Sequence, residues 1–153
     1  MILLTADFSQ ADLEKDIRDS FESIVDDIAQ NLFEAGCRAV DLARAKTKSE
    51  GGFGNITYNL RGSIGCVLVL NHSIADEHIY FPPLTAGEDG RQDGISYARE
   101  IALLVDEGEP VLIFCAGMFY AGYVEGLEDY DVITGSSKKL DSLFKALLNE
   151  DRN

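Results

Sequence analysis

The chain has 153 residues, 46% of them hydrophobic, with 27 acids against 13 bases and a net charge of −14. That length predicts one domain, 1–153, able to bury roughly 70% of its unfolded surface without disulfide or metal staples. The charge argues against a phosphate-binding groove and against docking on an anionic membrane, because no cluster of Lys and Arg offers a footprint for either.

Ser9 opens a long helix. It can cap the first turn, with Asp12 at the third helical position and Phe8 able to staple onto Leu13. Apolar residues follow at Leu13, Ile17, Phe21, Ile24, Ile28, Leu32 and Ala35, one side of a helix. Glu14, Lys15, Asp16, Asp19, Asp26 and Asp27 stand on the other. Unbroken from Ser9 to Lys46, such a helix spans roughly 55 Å at ~1.5 Å per residue. That exceeds the need of one small core. Either it kinks near Gly36, or part of its stripe packs on another chain.

Residues 47–57 read as a flexible glycine-rich loop, with Gly51, Gly52 and Gly54 around Phe53. A phosphate cradle is disfavoured, since the loop follows a helix and lacks the Lys-Ser/Thr pair of a P-loop. A mobile arm presenting Phe53 and Tyr58 to a partner is the expectation. Cys66–Leu70 and His78–Phe81 then read as an antiparallel hairpin ended by Pro82-Pro83. Ala86–Gly94 reads as a polar loop without the ligand spacing of a calcium site. Asp93 or Ser96 starts a helix through Val105, stopped by Gly108 and Pro110.

Val111–Ala116 is a continuous apolar run, a buried strand. Tyr120-Ala121-Gly122-Tyr123-Val124-Glu125 follows it, placing two phenols and a carboxylate at the strand's end. A fourth strand is expected at Tyr130–Ile133. A last helix from Ser136 or Ser137 carries Leu140, Leu143, Phe144, Leu147 and Leu148 on one face. The expected class is α+β, a long N-terminal helix and two further helices on a small, mostly antiparallel sheet of about four strands.

Cys37, Cys66 and Cys115 are odd in number and lie in apolar contexts, as expected of buried reduced thiols in a cytosolic protein. Met1–Leu4 is too short for a signal-peptide core, and no run approaches the ~18 apolar residues of a membrane span. Neither a cofactor nor a metal is expected: zinc needs four ligands in short-spaced pairs. Cys66 with His72 and His78 is a conceivable thiol–imidazole group, but a buried thiol and two rim histidines are the simpler reading. Ser63 is not in a nucleophile elbow, because Arg61 occupies the first glycine position. Glu125 and Glu128 lack the aromatic platform of a sugar hydrolase. Glu125 is instead expected to accept backbone N–H groups or a tyrosine hydroxyl, holding the turn after the core strand.

Leu60-Arg61-Gly62-Ser63-Ile64 ahead of one strand, and Tyr120-Ala121-x-Tyr123-Val124-Glu125 after a later one, resemble the paired signatures of a bacteriophage family. These are the head–tail joining or tail-completion proteins of long-tailed phages, which also open with a long helix and a flexible loop. Tyr58-Asn59 departs from the usual Thr-Gly before the first signature, and Gly126-Leu127 from the aromatic-Gly pair after the second. The resemblance implies a structural role without catalysis, in a ring, usually a hexamer, that caps the tail tube at the neck. It implies connector and tail-tube proteins as partners, DNA passing an acidic lumen, and residence in the bacterial cytoplasm during assembly and in the virion neck or tail afterwards. The alternative is a small cytosolic binding module or enzyme with a pocket near Tyr80, Tyr120 and Tyr123.

Overall fold

Ser9 caps the long helix as expected. Its hydroxyl accepts the Asp12 N–H and the Asp12 carboxylate accepts the Ser9 N–H, a complete capping box. The computed structural model describes residues 9–54, 56–106, 108–127 and 130–150. The expected Phe8 staple, Met1–Leu4 and the Glu128-Asp129 pair lie outside those residues.

Helix α1 (Gln10–Ala45) runs 36 residues through Gly36 without interruption. Gly36 serves a close approach, since a Cβ there would stand 2.7 Å from Leu112 Cδ1. The same stripe therefore has two fates. Ala29, Ala35, Ala39, Val40 and Ala43 are buried, whereas Leu13, Ile17, Phe21, Ile24 and Ile28 are exposed.

The sheet has three strands, β1 (Ile64–Val69), β2 (Ile79–Tyr80) and β3 (Val111–Ala116), in the order β2-β1-β3 and wholly antiparallel. Every residue of β1 is buried because both faces are covered. Ile64 and Cys66 face α1 with Val40 and Ala43. Val67 and Val69 face the other way, with Ile113, Cys115 and Phe81 against helix α3 (Glu88–Ala102).

Several expectations need correction. Ala86–Gly94 is mostly helix: α3 begins at Glu88. Gly90 and Gly94 are a turn apart and let α3 press on Asn59 and Ser63; a Cβ on Gly94 would meet the Ser63 carbonyl oxygen at 2.6 Å. α3 also ends at Ala102, short of the expected Val105, and Leu104 beyond it is exposed.

Tyr130–Ile133 is not a strand. The Val132 and Ile133 N–H groups are taken by the Glu125 carboxylate, and that of Asp131 by the Gly51 carbonyl, so none is left for a ladder. The first signature forms a short helix, α2 (Asn59–Gly62), before β1, and the second forms α4 (Ala121–Glu125). The last helical stretch divides into α5 (Thr134–Ser137) and α6 (Leu140–Glu150), the latter packed on α1.

Residues 47–57 are less open than expected. Lys48–Glu50 forms a 3-10 turn, and Phe53, expected at the tip of a mobile arm, is 4% exposed inside the α1-side core. Arg61 lies 5.3 Å over its ring.

Candidate functional site

The two signature stretches meet at Ser63. Its hydroxyl donates to the Leu60 carbonyl at 2.8 Å and accepts the Met118 N–H at 3.3 Å. Its own carbonyl accepts the Gly117 N–H at 3.1 Å. One register position further, Ile64 pairs with Ala116 across the sheet. Leu60, Ile64 and Ala121 share a core with Phe53, Val124 and Tyr120. The start of β1 and the exit of β3 are thus one structural unit. The Ser63 side chain is fully buried with both hydrogen-bonding roles used, so it is a fastener and not a nucleophile.

Glu125 closes the same unit. One of its carboxylate oxygens accepts the N–H groups of Val132 and Ile133 at 2.7 and 3.0 Å, and the other accepts that of Thr134 at 3.0 Å. Thr134 is the first residue of α5, whose N–H no preceding turn satisfies, and Val132 and Ile133 lead into it. An anion there also faces the positive end of the helix. The expectation that Glu125 holds the turn through backbone N–H groups is met; both its oxygens are committed, which leaves it ill placed as a general base. Asp131 adds a second clasp, accepting the Gly135 N–H at 2.9 Å and pairing with Lys46 at the end of α1. Partial burial pushes the Asp131 pKa up, but the Lys46 ammonium and the Gly135 N–H outweigh it and hold the carboxyl below its ordinary value.

The hollow beside this unit holds about 620 Å³ and is floored by Phe53, Leu60 and Val124, with Tyr58, Tyr120 and Tyr130 around it. That volume suits a side chain or a small apolar ligand. Tyr58 adopts a left-handed conformation, φ 64°, at the start of α2. The three tyrosines proposed for a pocket do not come together in this hollow. Tyr120 lines it, Tyr123 points to solvent at 72% exposure, and Tyr80 lies on β2 with its hydroxyl donating to Asp41 at 3.0 Å. Burial, then the Asp41 carboxylate, pushes the Tyr80 pKa up to about 12. Tyr130 joins the hollow because its segment is not a strand. No local sequence signal marks it, since its position follows from the Glu125 clasp.

Three arginines were not singled out by the sequence and hold the frame. Arg44 is buried and donates to the carbonyls of Ile64 at 3.0 Å, Gly62 at 2.7 Å and Pro82. Arg61 donates to Arg44 and Lys46, and Arg91 to Phe81. Burial lowers the Arg44 pKa to about 10, still cationic at neutral pH. The available clue was a guanidinium beside Val40 and Ala43, on the helix side that is otherwise apolar.

Cys66 and Cys115 are buried and Cys37 is half-buried, all as free thiols. The hydrogen bond that the Cys66 thiol donates to Cys37, and then burial, raise the Cys66 pKa, and burial pushes Cys115 up to about 12. His72 is exposed at a turn with φ 62°, while His78 stacks edge-on to Phe33, 5.6 Å between centroids. Among the described residues no three His, Cys, Asp or Glu side chains gather where they could hold a metal. Among them, too, no helix is long and apolar enough to cross a membrane.

Comparison with known protein families, with curated proteins and with solved structures finds no match.

Proposed function

We propose that this chain is a structural protein of a phage or prophage, one that joins head and tail by capping the tail tube at the neck, without catalysis. The observation that carries the reading is the two-sided character of the second signature. Its polar group, Glu125, is turned inward as a clasp, and Ala121 is buried. Tyr123, and Phe119 just ahead of the signature, stand outward at 72% and 94% exposure. Large aromatic side chains held out from a braced turn are suited to anchoring in a partner's pocket. The signature is then a scaffold that presents contacts, with its hydrogen-bonding groups spent on holding it rigid.

On this reading the chain assembles with itself as a ring, a hexamer in the virion, and with the connector and tail-tube proteins next to it. Its excess acid would line a lumen that repels the phosphates of passing DNA. It would reside in the bacterial cytoplasm during assembly and in the virion neck or tail afterwards. Deleting its gene from the phage or prophage tests the reading. Electron microscopy of the lysate is expected to find DNA-filled heads and separate tails. Joined particles in normal number would refute it.

The hollow of about 620 Å³ edged by Tyr58, Tyr120 and Tyr130 favours a second reading, a small binding module. Its signature would be a specific small molecule retained by the purified chain and lost on Tyr120→Ala.

A further inference from the structure

The first half of α1 carries an apolar stripe that, among the described residues, nothing covers. Phe21, Val25 and Asp26 still border the sheet's end, sharing a hollow with Asn71 and Pro110. Every residue from Gln10 to Ile24 is exposed. Leu13, Ile17, Phe21, Ile24 and Ile28 nonetheless fall on one side of the helix, with Ile17 and Phe21 at 62% and 64% exposure. A solvated helix has no use for such a stripe, and a contiguous exposed apolar patch marks an interaction surface.

The charges select the occupant. Asp12, Glu14, Asp16, Asp19, Glu22, Asp26 and Asp27 are balanced only by Lys15 and Arg18. Asp16 lines the shallow groove formed with Ile17, Ser20, Phe21 and Ile24. Glu14 and Asp27, read from the sequence as opposite the stripe, instead lie within a quarter turn of its centre, on opposite borders, at ~3.6 residues per turn. A second copy laid on this stripe, parallel or antiparallel, would set acids against acids along the seam. The same acids oppose an anionic lipid surface. A protein groove rimmed with lysines and arginines meets both the apolar and the electrostatic demand.

We propose that Gln10–Ile28 is a helix-in-groove docking element for a protein partner whose apolar groove is bordered by lysine and arginine. This inference stands on the helix alone and does not depend on the phage reading.

The test titrates the full chain into a fluorescently labelled helical peptide of about 20 residues with a leucine seam flanked by lysines, long enough to span the stripe. Two control peptides carry glutamate flanks or a serine seam. A chain carrying both Ile17→Gln and Phe21→Gln is measured beside the parent, with circular dichroism and thermal unfolding as a check on folding. The expected result is binding of the lysine-flanked leucine peptide, weakened as salt rises from about 50 to 500 mM. The double variant, unfolding at the parent's temperature, is expected to bind it about tenfold or more weakly. Neither control peptide should bind.

Equal binding of the serine-seam peptide, or undiminished binding by the double variant, would overturn the proposal. So would a concentration-dependent dimer in sedimentation that the double variant abolishes, because the occupant would then be a second copy. Capture by phosphatidylcholine vesicles in place of the peptide would assign the stripe to a membrane. Loss of folding in the double variant would assign it to the chain's own core.

Discussion

The N–H of Met118 donates to the hydroxyl of Ser63 across 55 residues of sequence, at 3.3 Å, where the Ser63 side chain is fully buried and Met118 half-buried. This bond fixes the exit of β3 to the lead-in of β1. Ser63→Ala removes the acceptor and leaves a half-buried donor without its side-chain partner. The expected loss is about 1–3 kcal/mol of stability, read as a lower urea midpoint at unchanged m-value. A midpoint equal to the parent's would show that the N–H finds another acceptor.

Glu125 provides the second joint. Glu125→Ala orphans the N–H groups of Val132, Ile133 and Thr134, leading into and opening α5, and is expected to cost about 1–3 kcal/mol or more, as for hydrogen bonds to a charged group. Glu125→Gln keeps one carbonyl oxygen and should fall between the parent and Glu125→Ala. Hydrogen exchange at Val132, Ile133 and Thr134 should accelerate most, since their amides lose the acceptor.

Asp131 gives the fold an acid-sensitive element. Its pKa is lowered on folding, the Lys46 and Gly135 contacts overriding partial burial. Such a group adds stability that is complete above its unfolded pKa, near ~3.9, and is lost as pH falls through the lower folded value. The parent should therefore exceed Asp131→Asn in stability by a constant amount near neutral pH. That margin should shrink below about pH 4. Denaturant unfolding at a series of pH values checks this, and a margin independent of pH would contradict it.

The thiols should separate by access. Cys37 is half-buried, and the hydrogen bond with Cys66 lowers its pKa against the opposing effects of burial and nearby acids. Cys66 and Cys115 are buried with raised pKa values. Iodoacetamide under native conditions is expected to label Cys37 first, with the other two reacting only on unfolding. Peptide mapping by mass spectrometry reads the order.

Where side chains announce their own surroundings, the sequence was legible. The Ser9 cap, the long helix and the apolar runs at Ile64–Val69 and Val111–Ala116 follow from local pattern, and so does the last helix's apolar face. Glu125 was placed correctly as a backbone acceptor. The misreadings arise where a distant partner decides. Gly90 and Gly94 look like loop residues, yet they are small because α3 presses on Asn59 and Ser63. Tyr130–Ile133 has the composition of a strand, but Glu125 holds its amides. Phe53 sits among glycines that suggest motion, while Arg61 and the core hold its ring. The hollow at Tyr58, Tyr120 and Tyr130 depends on all three of these long-range contacts and was therefore out of reach of local reasoning.

The proposal that the second signature presents docking contacts from a rigid turn is tested most directly at Phe119 and Tyr123. A phage lacking the gene is supplied with the parent chain or with one carrying Phe119→Ser and Tyr123→Ser. Both side chains are exposed, so the variant is expected to unfold at the parent's temperature. The account predicts that the parent restores joined particles and that the folded variant leaves DNA-filled heads beside unattached tails. Normal particles from the variant would contradict it.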